Sequence, residues 1–183
     1  MKATTENTEI QNWIYENDEG NKTRYVLGTK GETSLVCFGV NPSIAEPNNL
    51  DRTLESVLRL AENNEFDSWI MLNIYPQRSI DPKGMHDELD IKIHKNNLFH
   101  IDKVLGKYNP PVIWAAWGNL IETRPYLKKC LEEIYSISLK YNCKWVSIGK
   151  PDVNGHPPRP NISNAELEPE TFDIGAYLKR LKG

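Results

Sequence analysis

The chain has 183 residues, of which 39% are hydrophobic and 26% charged, enough for one domain with its own core in the composition range of ordinary globular proteins. Lys and Arg number 22 against 25 Asp and Glu, a net charge of −3. That balance argues against tight, sequence-blind binding to duplex DNA, which needs a basic face, but it leaves room for a basic rim around one pocket.

Residues 1–20 read as a polar, acidic arm with the character of neither a signal nor a transit peptide, and Trp13, Ile14 and Tyr15 are able to dock on the body. Residues 24–27 alternate enough for a short strand. Residues 34–40 (SLVCFGV) are a β-rich apolar run, and the turn-rich Gly28-Thr29-Lys30-Gly31 between the two predicts a hairpin whose second strand continues into the sheet. Residues 51–64 read as a helix, with Leu54, Val57, Leu58 and Ala61 on one face and Asp51 as N-cap. Residues 68–74 (SWIMLNI) are near-continuously apolar, as a strand covered on both faces should be.

A helix is expected over 96–105, with Leu98, Ile101 and Leu105 inward, then a buried strand over 112–116 (VIWAA). Residues 123–141 predict the longest helix, striped by Leu127, Leu131, Ile134 and Tyr141, with Pro125 in its first turn. Residues 144–147 (KWVS) read as a fourth buried strand, and Ile174, Tyr177, Leu178 and Leu181 mark a terminal amphipathic helix. Alternating strands and helices imply right-handed crossovers and a mostly parallel sheet with helices on both faces. The expected fold is therefore α/β: one domain over 21–183, with a central, mostly parallel four-stranded sheet in three layers plus an N-terminal hairpin strand.

In such sheets ligands bind beyond the carboxyl ends of the strands. The loop after the first apolar run, GVNPSIAEPNNLDRT, offers Asn41, Ser43 and Asn48, with Gly39 permitting close approach of a ligand and Asn41 able to donate and accept. An ordinary Asn-Pro turn through Pro42 accounts for the same residues. Asp51 and Thr53 could touch a ligand as well as start the helix. The second loop gives Asn73, whose amide needs partners inside an apolar run, with Tyr75 and Arg78. Arg78 suits an anion, or a surface pair with Asp81. Trp117, Gly118 and Asn119 offer a flat ring, a close-approach glycine and an amide, although such a Trp is more often core. The last loop, GKPDVNGHPPRPN, is stiffened by proline and carries Lys150, Asp152, His156 and Arg159. Lys150 and Arg159 would favour a neutral His156. His86, His94 and His100 read as surface or packing residues.

The three cysteines, Cys37, Cys130 and Cys143, have no C-x-x-C spacing, which suggests a reducing compartment without disulfides and excludes a four-cysteine iron–sulfur site in this chain. Phosphate-loop, dinucleotide, H-E-x-x-H and G-x-S-x-G motifs are absent, and no His/Cys/carboxylate set has metal-ligand spacing, so neither cofactor nor metal is expected. No apolar run approaches the roughly 18 residues of a membrane helix. The expectation is a cytoplasmic protein without a membrane partner.

The runs CFGVNPSIAEPNNLDRTLESVLRLA, WIMLNIYPQRSIDP, VIWAAWGN and IGKPDVNGHPPRP resemble the bacterial and phage domain of unknown function 1643. The resemblance spans residues 25–161, and its most specific part is Asn-Pro-Ser-x-Ala followed by Asp-x-Thr at a helix start. Gly39-Val40-Asn41-Pro42 and His156-Pro157 are also similar, more distantly, to the first and last motifs of the uracil-DNA glycosylase superfamily. That likeness implies a parallel four-stranded sheet between helices. It gives Asn41 the role of positioning the attacking water, His156 that of stabilising the leaving base, and Asn73 that of reading a flipped base. Arg159-Pro160 stands where the domain 1643 pattern has a later His-Pro.

The expected function is thus a glycosylase-like protein with a nucleobase or nucleotide pocket, hydrolysing an N-glycosidic bond. The alternatives are a non-catalytic module for nucleotides or single-stranded nucleic acid, and a protein-interaction domain in phage–host conflict.

Overall fold

The computed structural model describes residues 12–161, 163 and 167–181. In chain order the elements are Trp13–Asn17 (β1), Arg24–Thr29 (β2), Ser34–Gly39 (β3), Arg52–Asn63 (α1), Ser68–Asn73 (β4), Ile91–Tyr108 (α2), Val112–Ala115 (β5), Tyr126–Lys140 (α3), Lys144–Ile148 (β6), Pro169–Thr171 (β7) and Ile174–Arg180 (α4). Short 3-10 turns occupy Pro82–Gly84 and Gly118–Thr123.

The seven strands form one mixed sheet in the order β1-β2-β4-β3-β5-β6-β7. The middle four, β4-β3-β5-β6, run parallel. The outer strands are antiparallel to their neighbours. Three outer strands thus flank the parallel four, where the expectation was four plus one N-terminal hairpin strand, and the two edges are the strands the sequence hides best.

Side chains alternate across this sheet and build two cores. Leu35 and Cys37 of β3, Trp69 and Met71 of β4 and Trp114 of β5 pack under α1, against Leu54, Val57 and Leu60. Val36 and Phe38, Ile70 and Leu72, Ile113 and Trp145 face α2, α3 and α4. Burial on both faces is why these strands read as continuous apolar runs.

The hairpin expected between residues 24–27 and 34–40 does not form. β2 pairs with β1 and β4, whereas β3 lies between β4 and β5. The N-terminal hairpin is instead β1 with β2, and β1 begins inside the segment expected to be an arm; residues 1–11 lie outside the described residues. Gly28 permits the β2–β4 contact, because a Cβ there would sit 2.3 Å from the Trp69 carbonyl oxygen and 2.9 Å from the Ile70 Cα. Both are backbone atoms and cannot rotate away. Gly28→Ala is therefore expected to destabilise the chain by about 3 kcal/mol, read as a lower midpoint in urea unfolding. An unchanged midpoint would show that the two strands can part without loss.

Helix ends follow their caps. Asp51 Oδ1 accepts from the Leu54 N–H at 3.0 Å, so α1 starts where expected. Asp90 does the same for Lys92 and Ile93, which starts α2 five residues before the expected 96. α3 starts at Tyr126 rather than 123 because residues 118–123 wind as a 3-10 turn first. No described helix is long and apolar enough to cross a membrane.

Candidate functional site

The chain leaves β3 toward α1 on one face and returns through β4 and α2 to β5 on the other side of β3. The loops after β3 and β5 therefore diverge, which opens a crevice at the carboxyl ends of these neighbouring strands. A cleft of about 340 Å³ lies there. It is lined by Gly39, Asn41, Ser43, Asp51, Thr53, Trp117 and Arg159 among the residues singled out in the sequence. Arg52, Met71, Ser79, Ile80, Pro82, Leu120 and Pro160 complete most of the wall, and none of them carried a motif signal.

Several contacts fix the walls. The Asn41 Nδ2 donates to the carbonyls of Pro42 and Ser79 at 3.0 Å and of Gln77 at 3.4 Å, so its amide ties the first loop to the second. The Ser79 N–H donates to the Pro42 carbonyl at 2.9 Å, which makes Pro42 part of the same tie. Gly118 has φ +59°, and a Cβ there would lie 2.9 Å from the Arg159 Cγ. The absence of a side chain lets the Arg159 stem lie flat across the end of β5, while the Gly118 N–H holds the Pro157 carbonyl at 2.9 Å. Arg52 and Arg159 are both exposed, and neither guanidinium has a partner among the described residues. Asp51 is the one carboxylate in the wall.

Beneath Gly39 lies Asn73, which is 1% exposed. A Cβ on Gly39 would sit 3.1 Å from the Asn73 Oδ1 and 2.7 Å from the Met71 Cε. Neither polar atom of the Asn73 carboxamide has a hydrogen-bond partner among the described residues. Buried amides are almost always paired, so this one is an outlier, and it lies behind Gly39 rather than among the residues that line the cleft.

Trp117 borders the cleft only as part of the core behind it, and the other candidates sit elsewhere. Trp117 is fully buried, and its ring packs on Trp145, Phe172 and Tyr177 rather than presenting a free face. Tyr75 is buried and its hydroxyl bonds His86 Nδ1 at 2.8 Å and the Asp90 N–H at 3.2 Å; burial raises it to about 12. Arg78 is committed to the Tyr15 hydroxyl, Asn21, the Ile44 carbonyl and Glu46, not to Asp81 and not to the cleft. Lys150 is exposed and outside the cleft wall. His94 pairs with Glu133, and His100 stacks on Tyr25 with a 4.7 Å centroid distance; burial lowers the His100 pKa. Burial raises the thiols of Cys37, Cys130 and Cys143.

His156 and Asn41 were expected to meet at one cleft, but they line different ones. His156 is 2% exposed behind Trp117, held by Tyr177 and Glu122, and neither Lys150 nor Arg159 is its partner. The reason is local: Asp152 caps the N–H groups of Asn154 and His156 at 2.9 Å, folding the loop after β6 inward before Arg159 reaches the cleft. Among the described residues no group of three or more His, Cys, Asp or Glu is placed to hold a metal ion.

No curated protein matches the chain. The family described as "Protein of unknown function (DUF1643)" matches residues 24–160, from the second strand through Arg159 and Pro160 of the cleft wall, and the chain belongs to that family.

Proposed function

We propose that the cleft between the β3 and β5 loops binds a nucleotide, free or as one unit of a single strand, and recognises it without cleaving its N-glycosidic bond. The observation that carries this reading is a cleft rimmed by two arginines without a partner among the described residues, with the orphan carboxamide of Asn73 directly behind Gly39 of its wall. A carboxamide donates and accepts side by side, which matches the edge of a base. Met71, Ile80, Pro82, Leu120 and Pro160 supply apolar walls for its faces. Arg52 and Arg159 suit a phosphate, which a guanidinium grips in two places. Within the seven-stranded mixed sheet β4-β3-β5-β6 run parallel, and Gly39-Val40-Asn41-Pro42 leaves β3 at their carboxyl ends, which supports reading the cleft as a ligand pocket.

Hydrolysis finds less support. The Asn41 Nδ2 is spent on backbone carbonyls, and His156 stands in another cleft. The balance favours recognition over an N-glycosidic hydrolase.

Isothermal titration with the common nucleoside monophosphates tests the reading. Saturable binding is expected with at least one of them. Arg159→Ala is expected to weaken it by about 10- to 100-fold, the loss of a charge-assisted hydrogen bond worth about 1.5–3 kcal/mol. Uracil-containing single strands should release no base. No binding by any nucleotide would end the proposal; base release abolished by Asn41→Ala would replace it with the hydrolytic one.

A further inference from the structure

The second cleft, of about 420 Å³, lies on the other side of Trp117 and takes no part in the reading above. Its wall includes Glu122, Arg124, Lys128, Asn154, His156, Tyr177 and Arg180. A directed chain of hydrogen bonds ends in it. The Trp117 Nε1–H can only donate, and it donates to the Tyr177 hydroxyl oxygen at 3.0 Å. The Tyr177 hydroxyl lies 2.8 Å from His156 Nδ1. The Glu122 carboxylate can only accept, so the Nε2–H of His156 donates to it at 3.0 Å. The fold thus spends three side chains on aiming one N–H donor into the cleft.

The charges around that donor are unequally committed. The Arg124 guanidinium is spent on the carbonyls of His86, Thr123, Lys83 and Met85. Lys128 has Glu132 at 3.7 Å, a weak exposed pair. Arg180 has no partner among the described residues. Its guanidinium lies over Gly155, where φ is +83° and a Cβ would come within 3.4 Å of it. The Glu122 side chain is 55% exposed, and its bond to His156 is its one hydrogen bond among the described residues.

We propose that this cleft is a phosphate-group site for a phosphorylated small molecule, distinct from the nucleotide cleft, and that the Glu122 carboxylate occupies the oxyanion position until the ligand displaces it. Three donors line this cleft: the His156 Nε2–H, which holds the Glu122 carboxylate, with Arg180 and Lys128 in the same wall. Three donors fit the several oxygens of a phosphate better than the two of a carboxylate. Glu122 swings out to solvent at little cost because it is already half exposed. Its negative charge also sets a threshold, since a ligand must offer the site more than the internal carboxylate does.

Inorganic phosphate is the probe, followed by ring NMR of His156 and by calorimetry on the full chain. Phosphate is expected to shift the His156 ring resonances. Glu122→Ala removes the competitor and is expected to tighten binding about tenfold. Arg180→Ala is expected to weaken it severalfold and to shrink the phosphate-dependent His156 shift, whereas Arg159→Ala should act on total phosphate binding without moving the His156 titration, which separates this site from the first cleft. Failure of phosphate to bind either the wild-type chain or Glu122→Ala would overturn the proposal. So would binding insensitive to Arg180→Ala, or an equal His156 shift from acetate at the same ionic strength.

Discussion

Trp117→Ala is expected to lower the melting temperature by about 6–20 °C, the largest effect argued for any truncation near either cleft. The indole is fully buried, with ring centroids of Trp145, Phe172 and Tyr177 each 5.8 Å away. Truncating a buried Trp costs about 3–5 kcal/mol through lost transfer energy and the hollow left behind. For a chain of this size each kcal/mol is worth about 2–4 °C. The substitution also strips the Tyr177 oxygen of its buried donor. Trp117→Phe separates the two contributions. It keeps most of the ring packing and loses the Nε1–H, so it should cost about 1–2 kcal/mol through the unpaired oxygen and the smaller ring. Thermal unfolding followed by circular dichroism reads both variants. If the alanine variant melted within a degree or two of wild type, the aromatic cluster would not be the partition between the clefts described above.

The parallel centre of the sheet was legible because burial on both faces leaves unbroken apolar runs: SLVCFG, SWIMLN, VIWA and KWVSI. The edges were not. β1 is WIYEN, half polar because its residues are only partly covered, and β7 is three exposed residues, PET, without a pattern to read. The false hairpin shows a different limit. Turn residues between two strands specify that the chain can reverse there, but not which neighbour each strand finds. Here six paired residues of parallel β3–β4 contact decide the matter, and β2 takes the other edge of β4.

The cleft between the β3 and β5 loops was partly legible for a related reason. Asn41, Ser43, Asp51 and Thr53 follow an apolar strand directly, and a sharp change from apolar to polar at a strand's carboxyl end marks such crevices. Ser79 and Ile80 reach the cleft through the long-range tie between the first two loops, and no local spacing encodes that tie; Leu120 reaches it from the 3-10 turn after β5. His156 was placed in the wrong cleft because the turn at Asp152 reverses the loop before Arg159. Sequence order along a loop does not tell which of its residues faces which wall.

Arg24 offers the sharpest test of how the first loop is held, and the outcome depends on what replaces it. The side chain is 2% exposed and its guanidinium donates to the Ala45 carbonyl at 3.0 Å, within the loop that carries Asn41 and Asp51. Burial lowers its pKa to about 10, with Asp51 acting in the opposite sense, so Arg24 is still a cation at neutral pH. A lowered folded pKa in a base means that burial costs stability in full wherever both states are protonated, and that the cost lessens only as pH rises beyond about 10. Arg24→Ala removes the cost but leaves a cavity and an unpaired buried carbonyl, for a net loss of about 2–3 kcal/mol. Arg24→Met removes the same cost while filling most of the space, so it should lie within about 1 kcal/mol of wild type. The gap between the two variants should be constant from about pH 6 to pH 9, because nothing in it titrates there. Urea denaturation at several pH values measures it, and a methionine variant as unstable as the alanine one would show that the Ala45 hydrogen bond, not packing around the stem, is what holds the first loop in place.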